Sequence, residues 1–485
     1  MRRLAVVVAV LAALALPGLA FAFDNLEPLA PQQWYLVQDS AWSYWPEQPA
    51  LAPVTVAIVD SGIDGSHPEF AGRIAGARSF VGGSALRDEQ GHGTFVAGEI
   101  AANPSNGIGI AGLAFNAKLL IAKVVEPDGT VSLAGEVAAI RWAVAKGARV
   151  INLSLGGVRD PLDPKLDTYS PLEQAAVEYA YSKGVVVVAA VGNGPQSPAT
   201  PWGFAHYPAS LPHVIGVSAV REDGSVPDYS NRDAVYNDLA APGDAIFSTI
   251  PTNLLDGRPG CVDRPYSDCG PFEFRDAIGT SFAAPQVSAA AALLIGQDPR
   301  LQPAQVAWLL ERSADDANAS TGCVKCPRGR DLFTGWGTLD VFNALTMLGN
   351  GTPLPPPDRY EPNDDAGVWA HALPPLPRTI EATLDFWDDN TDVYRVHLNK
   401  GQRLFARLTP QAAVGVKLLL WAPGTKRVET LGDGTSRVAQ SHRVASQARL
   451  AYRARVAGVY YLEAKLAVET RDPVGYRLAL TRRSA

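Results

Sequence analysis

The chain lacks an excess of positive charge. Its 42 Lys and Arg residues stand against 49 Asp and Glu residues, which gives a formal net charge of −7, and the basic residues form no stripe. Nucleic acid is therefore excluded as the main partner. The mild charge also gives no reason to expect that bulk electrostatics attract the substrate.

Long apolar runs are missing after the N-terminus, so no later segment is expected to cross a bilayer. The first 22 residues are typical of an export signal. Two arginines precede an apolar run from Leu4 to Leu16, and Ala20-Phe21-Ala22 supplies a small-residue cleavage site. The alternative is a membrane anchor, but Pro17 interrupts the run. We expect a secreted protein, extracellular or periplasmic, with no membrane partner after cleavage.

Cysteine is scarce. The four cysteines lie in two local pairs, Cys261 with Cys269 and Cys323 with Cys326, and an exported protein can join such pairs as disulfides. Local pairing is the simplest of the three possible connectivities. The alternative is one zinc site with Cys323 and Cys326 as its CxxC half. The other pair lacks that spacing, and an oxidising compartment favours disulfides.

A chain of 485 residues is expected to hold more than one domain. From about Pro53 to Leu348, continuous β-rich apolar runs alternate with helical segments. The runs are Val54 to Val59, Lys118 to Val125, Arg149 to Leu153, Val185 to Val191 and His213 to Val220. This alternation predicts an α/β fold, a parallel β-sheet with helices on both faces.

Two of the intervening helices carry clear end signals. The segment from Leu133 to Lys146 has helical apolar spacing and stops at Gly147. Ser170 offers an N-cap, followed by Pro171 at the first helical position and Glu173 as a capping-box residue.

Three short segments hold the members of a possible nucleophilic triad: Asp60 in VAIVDSGIDG, His92 in GHGTFVAG and Ser281 in GTSFAAP. A serine hydroxyl needs an imidazole to take its proton and a carboxylate to hold the tautomer of that imidazole. Each motif alone is typical of a turn or a helix cap. Asp60 follows a predicted strand and Ser281 opens a buried Ala-rich helix, so the three together indicate one site at the carboxyl edge of the sheet.

The order Asp60, His92, Ser281 and the residues around them resemble the subtilisin-like serine peptidases. The resemblance implies that Asp60 orients His92, that His92 acts as general base and then general acid, and that Ser281 is the nucleophile. It also implies an oxyanion hole made by Asn193 and the Ser281 amide. The segment Ser154, Leu155, Gly156 would pair with an extended substrate backbone.

The same resemblance implies polypeptide substrates, a monomer and chemistry that needs no cofactor or catalytic metal. Structural calcium is a further implication, because Asn106 to Ile110 resembles a calcium loop of the family and Glu69 is placed to help as a ligand. The segment Thr200 to Tyr207 would form the floor of the pocket for the residue before the cleaved bond. That pocket is shallow if Trp202 or Phe204 points inward.

Three features depart from the family plan. Phe95 stands where many of these enzymes have a second histidine, outside the triad. The segment from Phe23 to Ala52 is too short for a folded inhibitory propeptide, so Pro31 to Tyr35 is expected to begin the catalytic domain itself. The segment from Asn253 to Arg275 is an insertion before the nucleophile and is expected to border the cleft.

After Leu348 the composition changes. Gly349 to Pro357 is a polyproline-type linker, and alternating apolar residues beyond it predict a small antiparallel β-sandwich. Asp358 to Asp364, with Asp392-Val393-Tyr394, resembles bacterial pre-peptidase C-terminal domains. An acidic cluster is expected to be a solvated loop rather than a calcium site; its members are Asp385, Asp388, Asp389 and Asp392.

We therefore expect five segments: a signal peptide (1–22), an N-terminal extension of the catalytic domain (23–52), a subtilisin-like peptidase domain (53–348), a linker (349–357) and a β-sandwich (358–485). The expected function is a secreted serine endopeptidase that cleaves extended polypeptide segments through an acyl-enzyme. The alternative is a secreted binding protein with a latent or inactive peptidase fold. No triad residue is missing, which favours the enzyme.

Overall fold

The computed structural model describes residues 27–41, 51–254, 274–356, 358–386, 389–428, 436–444, 446–470 and 472–483. The predicted signal peptide, its cleavage site and the predicted disulfide between Cys261 and Cys269 lie outside these residues. No helix within them combines the length and the apolar character that a bilayer span requires.

A seven-stranded sheet forms the centre of the first part of the chain. Its strands are β1 (Val54–Asp60), β2 (Ile74–Ser79), β3 (Ala117–Lys123), β4 (Val150–Leu153), β5 (Val186–Ala190), β6 (Val214–Val220) and β7 (Leu239–Pro242). Their order is β2-β3-β1-β4-β5-β6-β7, and every neighbouring pair is parallel. The central strands are buried almost throughout, as continuous apolar runs require. The predicted parallel sheet is confirmed.

Helices cover both faces of this sheet. In the part of the chain that the structure describes, they are α1 (Trp34–Gln38), α2 (His92–Ala101), α3 (Leu133–Ala145), α4 (Pro171–Ser182), α5 (Ala284–Gln297), α6 (Pro303–Ser313) and α7 (Val341–Gly349). Alternate residues of β1 enter two apolar cores. Val56 and Ile58 pack with α2, α5, α6 and α7, whereas Ala57 and Val59 pack with α3 and α4.

The predicted helix starts are present. The Ser132 hydroxyl accepts a hydrogen bond from the Gly135 amide at 3.1 Å and caps α3. Ser170 caps α4 through the Glu173 amide at 3.3 Å, with Pro171 in the first turn. The side chain of Glu173 turns toward Glu136.

A short antiparallel hairpin precedes Ser281. It consists of β8 (Ile246–Thr249) and β9 (Phe274–Ala277), so the predicted insertion is the connection between two paired strands. Residues 255–273 of that connection lie outside the described residues. Further along, Cys323 and Cys326 form the predicted local disulfide.

The last part of the chain is a β-sandwich. Its strands are β10 (His371–Ala372), β11 (Arg378–Leu384), β12 (Thr391–Leu398), β13 (Arg403–Pro410), β14 (Val416–Trp421), β15 (Arg437–Gln440), β16 (His442–Val444), β17 (Gln447–Arg453), β18 (Gly458–Leu466) and β19 (Val474–Arg483). The sheets have the orders β10-β12-β18-β14-β15 and β11-β19-β13-β17-β16. Pairs are antiparallel except β10 with β12. One apolar core lies between the sheets, in agreement with the predicted sandwich.

Polar contacts join the sandwich to the α/β part. The Arg427 guanidinium lies over the ring of Tyr169 at 3.8 Å from its centroid and donates to the Tyr207 hydroxyl at 3.3 Å. Elsewhere Arg312 pairs with Asp472 at 3.0 Å. The two parts therefore meet through charged and aromatic side chains.

Candidate active site

Asp60 and His92 form a close pair at the carboxyl end of β1. The His92 Nδ1 lies 2.9 Å from Oδ1 and 3.0 Å from Oδ2 of Asp60. Asp60 is only 2% exposed, and its Oδ1 also accepts a hydrogen bond from the Ser61 amide at 2.7 Å. A carboxylate held in this way fixes the imidazole with its proton on Nδ1 and leaves Nε2 as the basic nitrogen.

The start of α2 is held by Asp88, a residue that the sequence patterns did not single out. Its Oδ1 accepts from the Gly91 amide at 2.8 Å and its Oδ2 accepts from the Thr94 amide at 2.9 Å. The Ser61 hydroxyl donates to Asp88 at 2.8 Å and accepts from the Gly93 amide at 2.9 Å. The end of β1 and the start of α2 are thus locked together beside the Asp60–His92 pair. The only sequence signal for this role was a carboxylate four residues before His92.

The environment of His92 favours its protonated form. Burial alone would lower the pKa of His92, but the charge and hydrogen bond of Asp60, with a smaller effect from Asp88, raise it above its ordinary value. The ring of Phe282 lies 5.3 Å from the His92 ring, and Phe95 packs 4.5 Å from Phe282. Phe95, at the position of the family's second histidine, is therefore part of the apolar support for the His92 ring.

Ser281 stands at the tip of a buried helix and beside the end of β4. A 3₁₀ turn over Thr280–Phe282 leads into α5, and Pro285 lies in the first turn of α5. The Ser281 Oγ donates to the Ser154 backbone oxygen at 3.1 Å, and the Ser154 hydroxyl donates back to the Ser281 oxygen at 2.7 Å. Its neighbour Phe282 contacts the His92 ring, so the structure brings all three triad candidates to one place.

Asn193 is oriented by the turn that carries Ser281. Its Oδ1 accepts hydrogen bonds from the Thr280 amide at 3.0 Å and the Thr280 hydroxyl at 3.2 Å. The Nδ2 therefore faces away from Thr280 and toward Gly279, where an added methyl group would lie 3.5 Å from Nδ2. A donor held in this way is preorganised for an anion that forms on the Ser281 side.

The segment after β4 offers a free backbone edge. Gly157 exchanges two backbone hydrogen bonds with Tyr207, each of 2.9 Å, which fixes one side of the segment. Among the described residues, no hydrogen bond reaches the backbone groups of Leu155 or Gly156. An extended peptide can therefore add to this edge as a strand.

His206 fills the space between the free backbone edge and the Asn193 turn. A methyl group on Gly156 would lie 3.5 Å from the His206 Cβ, and one on Gly192 would lie 2.5 Å from the His206 Nδ1. The His206 Nε2 is 2.8 Å from the Ser197 hydroxyl, and burial lowers the pKa of His206 to about 4. His206 belongs to the predicted floor segment, but the sequence analysis did not single it out.

The two aromatic residues suggested for the pocket floor lie against Arg159. The Trp202 Nε1 donates to the Arg159 backbone oxygen at 3.2 Å, and the Phe204 ring lies under the Arg159 guanidinium at 5.7 Å. Arg159 itself forms a buried ion pair with Asp233 at 2.9 Å. The side chain that lies between Gly156 and Gly192 is therefore that of His206, and not that of Trp202 or Phe204.

The start of the predicted insertion packs beside His92. A methyl group on Gly91 would lie 3.1 Å from the Leu254 side chain, and the Asn253 amide donates to the Asp88 backbone oxygen at 3.3 Å. The described part of the insertion therefore borders the site from the α2 side.

The predicted calcium loop presents hydrogen-bond donors to its carboxylates, whereas a cation site presents oxygen ligands. Glu27 accepts hydrogen bonds from the Gly107 and Ile108 amides at 3.0 and 3.1 Å, and Glu69 accepts from the Ile110 amide at 2.9 Å and from the Asn106 side chain at 2.8 Å. Burial raises the pKa of Glu69 to about 7. Amide donors rather than carbonyl oxygens face these carboxylates, so the geometry does not favour calcium here.

A buried acidic cluster does occur in the sandwich. Asp389 and Asp392 are 6% and 0% exposed, so the expectation of a solvated loop is wrong for both residues. Asp358, Asp389 and Asp392 each offer an oxygen atom within 4.8 Å of the others. Asp392 accepts a hydrogen bond from the hydroxyl of Tyr476, a residue of the sandwich core, and a contact of this kind cannot be read from alternation along a single strand. Asp388 lies outside the described residues.

The geometry agrees with comparisons to known proteins. The subtilase family model matches residues 52–337. Fervidolysin from Fervidobacterium pennivorans is 33% identical over 353 residues, which is 68% of this chain and 46% of fervidolysin, so the match spans about half of that relative. Subtilisin DY from Bacillus licheniformis is 34% identical over 270 residues, or 56% of this chain and 86% of the relative. Thermitase from Thermoactinomyces vulgaris is 34% identical over 270 residues, 55% and 80% of the two chains.

Two solved structures share the fold. A lanthipeptide protease aligns with a TM-score of 0.53 at 23% identity, over 66% of this chain and 95% of that chain. A protease from Pseudoalteromonas arctica aligns with a TM-score of 0.54 at 25% identity, over 66% and 98% of the two chains. Because the family match covers more than half of the chain and the fold agrees with it, the chain belongs to the subtilase family.

Proposed function

We propose that the protein is a serine endopeptidase in which Ser281 is the nucleophile, His92 the general base and general acid, and Asp60 the residue that orients His92. The close contact of both Asp60 oxygens with the His92 Nδ1, beside the turn that bears Ser281, carries this proposal. His92 takes the Ser281 proton as the hydroxyl attacks the peptide carbonyl, and then gives it to the leaving amine. Water then attacks the acyl-enzyme, with His92 again acting as general base and then general acid, and the acyl group leaves Ser281.

The oxyanion hole consists of the Asn193 Nδ2 and the Ser281 backbone amide. The Ser281 amide lies in the turn that leads into α5, where helix amides favour negative charge, and the Asn193 Nδ2 faces Gly279 at the start of that turn. The donors are oriented before substrate binds, because Thr280 fixes the Asn193 oxygen. This arrangement stabilises the tetrahedral intermediate without reorganisation of the site.

The substrates that this site fits are extended polypeptide segments. The open backbone edge at Leu155 and Gly156 binds the peptide main chain, which makes recognition largely independent of side chains. Side-chain preference then depends on the predicted floor segment, Thr200 to Tyr207, in which His206 lies between Gly156 and Gly192. We further propose that the protein is secreted after removal of residues 1–22, acts as a monomer, and has a pre-peptidase C-terminal-like domain in residues 358–485.

Covalent labelling with a fluorophosphonate tests the enzyme proposal. The unsubstituted protein should be labelled at Ser281, and Ser281→Ala should not. His92→Ala should slow labelling because the hydroxyl then lacks its base, while Ser105→Ala, an exposed serine outside the site, should label normally. Folded protein that remains unlabelled would contradict the proposal and favour an inactive peptidase fold with a binding role.

We also propose that Asp358, Asp389 and Asp392 hold structural Ca²⁺. Oδ1 atoms of Asp389 and Asp392 are buried and have no hydrogen-bond partner among the described groups, and oxygen atoms are the ligands that Ca²⁺ prefers. Removal of Ca²⁺ from Ser281→Ala protein by a chelator should lower the unfolding midpoint. Asp392→Asn should abolish that response. An unchanged midpoint after Ca²⁺ removal would contradict the proposal.

A further inference from the structure

His213 lies where the α/β part meets the sandwich. Its side chain is fully buried and stacks on Tyr181 of α4 at 3.6 Å between ring centroids. Its Nε2 is 2.8 Å from Oδ2 of Asp364, 3.2 Å from Oε2 of Glu361 and 3.7 Å from Oε2 of Glu178. Two of these carboxylates come from the sandwich, and Glu178 belongs to α4.

One imidazole cannot satisfy these three carboxylates. A protonated His213 offers a single N–H at Nε2, which can serve one oxygen well. Both oxygens of Glu178 and the Oδ2 of Asp364 are buried and lack a hydrogen bond of normal geometry among the described groups. No described lysine or arginine forms an ion pair with Glu178, Glu361 or Asp364. When ionised, three buried carboxylates hold more negative charge than one protonated His213 can balance, which is costly, so the cluster calls for a further cation.

The distances from His213 to the three carboxylates fit a metal ion of the zinc class. Tetrahedral Zn²⁺ with bonds of about 2.0–2.2 Å places its ligand atoms about 3.4 Å apart. The distances from Nε2 of His213 to the three oxygens, 2.8 to 3.7 Å, span that value. The ligand atoms of Glu178, His213 and Asp364 also lie within 4.8 Å of one another. An imidazole ligand favours Zn²⁺ or a similar transition metal over Ca²⁺.

We propose that His213 and Glu178 of the α/β part and Glu361 and Asp364 of the sandwich form a binding site for a divalent cation of the zinc class, which clamps the two parts together. Two residues come from each side, so either part alone holds an incomplete site. The site is separate from the proposed catalytic residues. It adjoins the proposed oxygen-only calcium site at Asp358, Asp389 and Asp392, because Glu361 and Asp364 each offer an oxygen within 4.8 Å of one from Asp389. The zinc-class site does not depend on the proposed peptidase activity or on the proposed calcium site.

We call this proposed site of His213, Glu178, Glu361 and Asp364 the clamp. Metal titration of the full-length Ser281→Ala protein tests it. After metal is removed with a chelator, Zn²⁺ alone is added in competition with a chromogenic chelator, and Ca²⁺ alone is added in parallel. We expect one tight Zn²⁺ site per chain, weakened at least about tenfold by His213→Ala and by Glu178→Gln. Glu136→Gln is the matched control, because Glu136 is another buried carboxylate, 3% exposed, that lies outside the cluster. Zn²⁺ should also raise the unfolding midpoint, and His213→Ala should remove that rise.

Three outcomes would overturn the clamp. They are no tight Zn²⁺ binding, Zn²⁺ binding of equal strength in the His213→Ala and Glu136→Gln proteins, or binding of Ca²⁺ alone that does not depend on His213. If His213→Ala fails to fold, X-ray absorption of the Zn²⁺-loaded Ser281→Ala protein decides the question. Imidazole scattering from one histidine supports the clamp, and its absence contradicts it.

Discussion

A chain of side-chain hydrogen bonds fixes the backbone around Ser281. Ser288 on α5 donates to the Asn152 oxygen at 2.8 Å, and the Asn152 amide donates to the Ser154 hydroxyl at 2.9 Å. Ser154 and Ser281 then exchange hydroxyl and backbone bonds. The nucleophile is thus tied to the edge that is proposed to bind substrate. In the proposed mechanism, Ser281 gives up one hydrogen bond, of about 1 kcal/mol, when it transfers its proton to His92.

Asn193→Ala is expected to lower kcat about 10²- to 10³-fold and to leave KM nearly unchanged. This range is the one measured for an oxyanion donor in subtilisin, so it is carried over from the family. The reason is that the Nδ2 donor meets a negative charge that exists in the transition state and not in the substrate. Steady-state kinetics with a peptide substrate would measure both constants. Ser105→Ala, an exposed residue outside the site, is the control, and an equal loss in both variants would contradict the oxyanion role.

The positions of the main proposed site residues could be predicted because each has a short local motif. Asp60, His92, Ser281 and Asn193 all lie where strand ends and a helix tip bring them together. Asp88 could not be predicted in the same way. It acts through backbone amides and the Ser61 hydroxyl, and such contacts leave no spacing pattern in a sequence. His206 was hidden for a similar reason, since its place depends on two glycines from other segments.

At the scale of elements, α2 approaches β1 unusually closely. A methyl group on Gly93 would lie 2.2 Å from the Gly62 backbone oxygen and 3.2 Å from the Asp60 Cβ. Glycine at this position therefore lets the first turn of the helix reach the strand end. The approach brings His92 within hydrogen-bond distance of Asp60. The glycine of the HGT motif is therefore required here because a side chain would prevent this approach.

Element types followed from the sequence better than element ends did. The run Lys118 to Val125 was predicted as a strand, but β3 is Ala117–Lys123. Val124 remains fully buried beyond the paired region, so apolar character continues where strand pairing stops. Similarly, the Ala-rich helix that Ser281 was predicted to open begins as a 3₁₀ turn, and α5 starts just before Pro285. Proline lacks an N–H and fits only the first helical turn.

Two buried carboxylates join α3 and α4. Glu136 and Glu173 are 3% and 4% exposed, and burial raises the pKa of Glu173 to about 7. The folded protein therefore keeps a proton that the unfolded chain releases near the ordinary value of 4.5. The free energy of unfolding should fall as the pH rises from about 4.5 to about 7, by roughly 1 to 3 kcal/mol from this pair.

Glu173→Gln should remove most of this pH dependence. In a Ser281→Ala background, the variant and its parent should have similar stability at about pH 5, and the variant should be more stable at about pH 8. Chemical denaturation at the two pH values measures the difference. Glu222→Gln changes an exposed carboxylate and serves as the control. A variant that loses stability at the higher pH would show that the pair is ionised in the folded protein.

At the scale of the whole molecule, the sandwich is positioned to influence the site. Residues from both parts surround the boundary at His213, and Arg427 of the sandwich contacts Tyr169 and Tyr207. Tyr207 in turn pairs with Gly157, next to the proposed substrate edge. Sequence patterns predicted each part separately. They carried no information on this boundary, because its contacts join residues about 150 to 220 positions apart.

Arg427→Ala is expected to raise KM about fivefold and to leave kcat nearly unchanged. Loss of the guanidinium removes about 1 kcal/mol of stacking and hydrogen bonding from the two tyrosines, which loosens the backbone pair between Tyr207 and Gly157. The proposed catalytic residues do not contact Arg427 in the described structure, so the chemical step should be preserved. Arg312→Ala removes a different contact between the two parts, the ion pair with Asp472, and should leave KM unchanged. If both variants raise KM equally, the effect comes from general loosening of the boundary and not from the route through Tyr207.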